Sequence, residues 1–105
     1  MIKSGVDLRG LSPQMAIAYT IATKCYGQYD CVITSASDGK HGPNSLHYKG
    51  CALDLRTRHL NGQQLQAIYA KLKESLGDQF DVVMEHDHFH IEHDPKSPYI
   101  NPEDR

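Results

Sequence analysis

The 105-residue sequence has neither a long hydrophobic run nor an excess of basic residues. No segment approaches the roughly 20 apolar residues that a membrane-spanning helix needs, and the N-terminal segment lacks the apolar stretch of a signal peptide. The formal net charge is −2, and no basic stripe is visible, which argues against nucleic acid as a partner. We therefore expect a protein with no membrane span that is made in a reducing cytoplasm.

Cysteine is also scarce, and no internal repeat or low-complexity block is present. Cys25, Cys31 and Cys51 cannot all pair within one chain, and their spacing matches no zinc knuckle. A hydrophobic content of 39% and a charged content of 23% are typical of a globular protein. The length predicts a single domain over residues 1–105 and does not require more than a monomer. Residues 95–105 are proline-rich and are expected to form an extended tail.

The hydrophobic pattern predicts two helices and four strands. Ser12 before Pro13 marks the start of a helix over 13–27, and Asn61 can cap a second helix over 62–76. β-rich runs predict four strands, at 31–36, 50–56, 80–85 and 88–93. The last two strands would be joined by a tight turn at His86-Asp87. The prediction is an α+β fold, with an antiparallel sheet packed against two main helices.

Imidazoles and carboxylates are concentrated in the segments 45–56 and 84–94, which suits metal binding or proton transfer. His47 lies in a glycine-bearing loop, seven residues before Asp54 on the following strand. A histidine nitrogen and a carboxylate oxygen suit Zn²⁺ at about 2.0–2.2 Å, but a catalytic zinc needs a third protein ligand. The strand 88–93 can supply it, because His88 and His90 share one face while Phe89 and Ile91 point to the other.

Two motifs in these segments match a known family. They are carried by Ser45, His47, Ala52 and Asp54 in SLHYKGCALDL, and by Asp87, His88 and His90 in DHFHIE. With them the chain resembles the zinc peptidases that include D-alanyl-D-alanine carboxypeptidases, L-alanyl-D-glutamate endopeptidases of phage lysins, vancomycin-resistance dipeptidases and the Hedgehog signalling domain. The resemblance covers roughly residues 8–95 and is greatest to short phage and prophage members.

The resemblance implies a residue-by-residue assignment of the site. The zinc ligands would be His47, Asp54 and His90. Asp87 would be the general base, with His88 lining the site beside it. His41 would face the substrate, and Ser45 would form a hydrogen bond near the site. A second frame stays open, in which Glu85 is the base and His88 the ligand, because both pairs have the form acid-x-x-His.

The other reactive side chains of these segments are expected to have simpler roles. Two histidines are expected to be exposed at strand ends: His86 and His93. Cys51 would face away from Asp54 on a regular strand and is interpreted as a core thiol. Arg56, Arg58 and His59 are expected in a solvated loop, although they could instead contact a carboxylate of the substrate.

The function that the resemblance implies is zinc-dependent hydrolysis of amide bonds in peptidoglycan stem peptides or crosslinks. A small endolysin of this kind would accumulate in the host bacterial cytoplasm and reach the cell wall on release. Two alternatives stay open: a zinc-containing binding domain without catalysis, and a virion-associated wall protein of the same fold. The bond that is cut is not determined by the sequence.

Overall fold

The computed structural model describes residues 1–36 and 51–94 of the chain. Along these ranges the elements are α1 (Pro13–Tyr26), β1 (Ile33–Ala36), β2 (Ala52–Arg56), α2 (Gly62–Leu76), β3 (Phe80–Met84) and β4 (His88–His93). The predicted α+β fold, with two helices and an antiparallel sheet, is confirmed. The predicted tail at 95–105 and nearly all of the segment between β1 and β2 lie outside the described residues.

Both helices begin and end at residues whose chemistry favours the end of a helix. The Ser12 side chain accepts a hydrogen bond from the Met15 backbone N–H at 3.3 Å, and Gly27 ends α1 with a φ of 62°. That φ is costly for a residue with a Cβ, so α1 ends one residue earlier than predicted. At α2, Asn61 and Gln64 form a reciprocal capping box at 2.9 and 3.0 Å.

The sheet has the strand order β1-β2-β4-β3, and every neighbouring pair is antiparallel. The two central strands, β2 and β4, pair Leu53 with Ile91, Asp54 with His90 and Leu55 with Phe89. Side chains alternate between the two faces of a strand, so the apolar pairs share one face and Asp54 and His90 share the other. The alternation predicted for β4 is confirmed.

The helices cover the apolar face of the sheet and leave its polar face free of helices within the described ranges. Phe89 is fully buried, stacks on Tyr69 with ring centroids 5.9 Å apart, and meets Tyr26 edge-on at 6.3 Å. Aromatic side chains of this size dominate core energetics. The core therefore fixes β4 from one side, which sets the positions of the polar side chains on the other.

Within the described ranges, neither helix has the length and apolarity that crossing a membrane would require.

Candidate metal centre on the polar face of the sheet

The polar face of β2 and β4 is built by alternation and register. His88, His90 and Glu92 alternate with Phe89 and Ile91 along β4, and both apolar residues are fully buried. The polar side chains therefore project from the other side of the sheet. Because β2 and β4 are antiparallel, His90 lies opposite Asp54 and His88 lies opposite Arg56. We call Asp54, Asp87, His88, His90 and Glu92 the polar cluster.

Asp54 lies between the two histidines of β4. Its Oδ1 is 2.8 Å from His90 Nδ1, and its Oδ2 is 3.7 Å from His88 Nε2. The Asp54 side chain is 24% exposed, and those of His88 and His90 are 29% and 22% exposed. All three are half-buried, so their mutual attraction is screened less than that of a surface pair.

Each of these imidazoles also faces a second carboxylate with its other nitrogen. His88 Nδ1 lies 2.8 Å from Asp87 Oδ1, and His90 Nε2 lies 3.2 Å from Glu92 Oε1. Carboxylates in this position fix the orientation and tautomer of a metal-binding histidine. The polar cluster thus supplies both candidate ligands and the groups that orient them.

The charge state of His90 follows from these contacts. The hydrogen bond with Asp54 raises the pKa of His90 above its ordinary value, and Glu92 acts in the same direction, while burial opposes both. Only the imidazolium can donate from both nitrogens at once. A metal ion would have to displace a proton from this ring, so metal binding at His90 is expected to weaken at acidic pH.

The donor chemistry of Asp54 and His90 fits zinc. Metal–ligand bonds of about 2.0–2.2 Å in a tetrahedral arrangement separate neighbouring donor atoms by about 3.3 Å. The Asp54 carboxylate lies 2.8 Å from His90 Nδ1 and 3.7 Å from His88 Nε2, so both imidazoles lie near that separation from it. Among residues 1–36 and 51–94, however, no trio that contains Asp54 brings its donor atoms within 4.8 Å of one another. The described residues thus offer a pair of ligands, and a third would have to come from elsewhere.

Three residues of the predicted site lie outside the described residues: His41, Ser45 and His47. Their assignment as substrate-facing side chain, hydrogen-bonding residue and zinc ligand stays a prediction. Asp54 of the first motif and Asp87, His88 and His90 of the second are brought together in the polar cluster.

The two candidate bases lie at the hairpin between β3 and β4. The Asp87 carboxylate is well exposed, and its hydrogen bond with His88 holds the pKa of the Asp87 carboxyl below its usual value. It is therefore ionised at neutral pH, which is the state that a general base requires. The Glu85 backbone N–H donates to the His88 carbonyl at 2.9 Å, which closes the predicted tight turn. The exposed Glu85 side chain forms no hydrogen bond with the polar cluster within the described parts of the chain.

The secondary assignments made from the sequence have mixed outcomes. His86 is exposed, as expected, but His93 is half-buried and its ring lies 4.9 Å from that of Phe80. Cys51 is only half-buried and directly precedes β2. Arg56 is the last residue of β2, which agrees with the strand predicted over 50–56 and corrects its grouping with the solvated loop, because the strand continues until its pairing with β4 ends at His88.

Sequence reasoning missed an acidic group that shares Glu92 with the polar cluster. Side-chain oxygens of Asp81, Glu92 and Asp94 all lie within 4.8 Å of one another, and the three residues are half-buried, so this group could hold a metal ion. Asp81 and Glu92 are cross-strand partners, and alternation along the two predicted strands was the signal available. An all-oxygen donor set favours hard cations such as Ca²⁺ or Mg²⁺, whereas imidazole nitrogen suits zinc.

Comparison with protein-family models, curated proteins and solved structures finds no match for this chain.

Proposed function

We propose that this protein is a zinc-dependent peptidase that hydrolyses amide bonds in the stem peptides or crosslinks of bacterial peptidoglycan. The observation that carries the proposal is the cross-strand contact of 2.8 Å between Asp54 and His90. Two motifs separated by more than 30 residues in the chain supply these side chains, and the fold brings them together. The resemblance of both motifs to zinc peptidases supplies the reaction class and the substrate.

The zinc ligands in this proposal are His47, Asp54 and His90. His90 lies directly opposite Asp54 in the register of β2 and β4, whereas His88 lies opposite Arg56, which supports His90 rather than His88 as the ligand on β4. A bound zinc ion would supply a Lewis acid that lowers the pKa of a water molecule and polarises the scissile carbonyl. A set with two neutral histidines and one carboxylate leaves the centre with a net positive charge.

The chain's own residues would move the proton. Asp87 takes a proton from the attacking water and transfers it to the departing amine, as a general base and then an acid. His88 holds the Asp87 carboxylate by the 2.8 Å contact and can donate a hydrogen bond to the developing oxyanion. In the alternative frame, Glu85 is the base and His88 the ligand. His41 and Ser45 would contact the substrate.

The biological setting implied by the resemblance is that of a small phage or prophage endolysin. Such an enzyme is held in the host cytoplasm until it is released to the cell wall. A non-catalytic zinc-binding domain and a virion-associated wall protein are the two alternatives.

Digestion of purified muropeptides by the zinc-loaded protein, followed by mass spectrometry, tests this function. We expect new products whose masses identify the cleaved amide bond, and no products from protein treated with a chelator. The matched control is Asp87→Asn, which keeps the size of the side chain and should keep the zinc. Intact muropeptides after incubation with zinc-containing wild-type protein would contradict the peptidase assignment and favour a binding domain.

A further inference from the structure

A polar pocket of about 210 Å³ opens beside the polar cluster, where β2 and β4 meet the hairpin. Six residues line it: Lys3, Thr34, Arg56, Arg58, Asp87 and His88. Three of these carry a positive charge, and Asp87 is the one acid among them. The chain as a whole has a formal net charge of −2, so this local excess of positive charge does not follow from the composition.

The fold fixes the backbone of two of these cations. The Lys3 backbone N–H donates to the Ile33 carbonyl at 2.8 Å, which ties the N-terminal segment to β1. Arg56 ends β2, where its N–H donates to the Val32 carbonyl at 2.9 Å and its carbonyl accepts from the Tyr26 hydroxyl at 2.7 Å. Both side chains therefore start from anchored positions.

Arg58 reaches the same pocket from the turn that follows β2. The backbone N–H of Thr57, which is buried, donates to the Asp87 carbonyl at 3.0 Å. This bond joins the end of β2 to the β3–β4 hairpin. The cations of the 56–58 segment are thereby held next to Asp87 and His88, at the edge of the proposed catalytic site.

The three cationic side chains that line this pocket lack acceptors among the described residues. No carboxylate of residues 1–36 or 51–94 forms an ion pair with Lys3, Arg56 or Arg58, and Asp87 is engaged by His88 at 2.8 Å. Arg56 Nε is buried and has no hydrogen-bond partner. Buried donors in folded proteins nearly always have a partner, and an exception calls for an explanation. Guanidinium groups bind carboxylates through two parallel hydrogen bonds.

We propose that this pocket binds a free carboxylate of the peptide substrate, on a residue that adjoins the scissile amide. The proposal rests on the proposed peptidase function, because His88 connects the two places: it lines the pocket, and its Nε2 lies 3.7 Å from Asp54 Oδ2. The substrates are then acidic peptides. The carboxylate is either the C-terminal group, as in a carboxypeptidase substrate, or the α-carboxylate of γ-linked D-glutamate, as in an endopeptidase substrate.

Three synthetic stem pentapeptides separate these two sources. One has all carboxylates free, one is amidated at its C-terminus, and one is amidated at the D-glutamate α-carboxylate. With wild-type protein, one of the two amidations should raise KM about tenfold or more, while kcat changes little. The amidated peptide whose KM rises identifies the carboxylate that the pocket binds.

Two variants test the pocket itself: Arg58→Gln and Lys3→Gln. The matched control is Arg9→Gln, because Arg9 pairs with Asp7 at 2.8 Å and does not line the pocket. The two pocket variants should raise KM for the free-acid peptide about as much as amidation does. For the sensitive amide, which is the amidated peptide whose KM rises with the wild-type protein, the variants should show no further rise in KM. The proposal would be overturned if amidation raised KM as much in the variants as in the wild type. It would also be overturned if amidation raised KM in none of the proteins.

Calorimetric titration of the same peptides into zinc-loaded protein separates this proposal from the peptidase assignment. If no peptide is cleaved, but the free acid binds more tightly than the sensitive amide and Arg58→Gln removes the difference, the peptidase function fails and the carboxylate pocket stands. If peptides are cleaved but the free acid and both amides bind equally, the pocket proposal fails and the function stands.

Discussion

The two faces of β2 and β4 share one backbone and have opposite properties. On the helix-covered face, Leu53, Leu55, Phe89 and Ile91 are between 0% and 1% exposed. On the other face, Asp54, His88 and His90 keep between 22% and 29% of their side chains exposed. Because successive residues of a strand point to opposite faces, neighbours such as Phe89 and His90 belong to different environments. Substitutions one position apart should therefore affect different properties of the protein.

The contrast also shows how the fold positions reactive groups precisely. Tight packing of Phe89 against Tyr26 and Tyr69 holds β4 in place, and the register with β2 then places His90 opposite Asp54. The half-buried side chains of the polar face are oriented by one another. Stability should depend mainly on the first face, and metal binding and catalysis on the second.

The largest expected effect is on turnover, from a change on the polar side of the hairpin. Asp87→Asn leaves all proposed zinc ligands in place, so zinc content should be retained while kcat falls by about 10²–10⁴-fold, the usual contribution of a positioned general base. Glu85→Gln, two residues away, should lower kcat much less. Muropeptide hydrolysis and metal content are measured for both variants. An inactive, zinc-containing Glu85→Gln beside an active Asp87→Asn would require the alternative frame.

The next effect is on stability, from a change on the apolar face. Phe89→Ala should lower the free energy of unfolding by about 3–5 kcal/mol, because it removes a fully buried ring and leaves a cavity. Val83→Ala is the control on the polar face of the same sheet, where Val83 lies opposite His90 and is 45% exposed. Val83→Ala should lower the free energy of unfolding by no more than about 1 kcal/mol. Equal losses in denaturant titrations would contradict the division between the faces.

The smallest expected effect is the pH dependence of the chelator-treated protein. The pKa of His90 is raised in the folded state, chiefly by Asp54, so the protonated ring stabilises the fold. This contribution is complete below about pH 6.5, the unperturbed value, and is lost as the pH rises through the folded-state pKa. It should amount to about 1 kcal/mol or less.

The measurement is the change in unfolding free energy between about pH 6 and pH 8, compared between wild type and His90→Gln. The wild type should lose more stability over this interval than the variant does. An equal change in both proteins would show that the contact between His90 and Asp54 does not contribute in the way described.

Local features of the fold were predictable from the sequence, and pairings between distant segments were not. Asn61 and Gly77 set the bounds of α2 through capping, and the alternation in β4 identified its two faces. The adjacency of β2 and β4 depends on contacts between segments more than 30 residues apart, which no local pattern specifies. Glu92, the second partner of His90, lies two residues away on the same strand and was within reach of the alternation in β4, whereas the position of Asp54 opposite His90 became visible only with the strand register.

The most direct test of the central claim is the zinc content of two variants that make the same chemical change at different points on one face. Asp54→Asn alters the polar cluster, and Asp81→Asn alters the neighbouring acidic group. After zinc loading and dialysis, the wild type and Asp81→Asn should each retain about one zinc ion per chain, and Asp54→Asn should retain almost none. Full zinc retention by Asp54→Asn, with loss of zinc in Asp81→Asn, would contradict the account and place the metal in the acidic group.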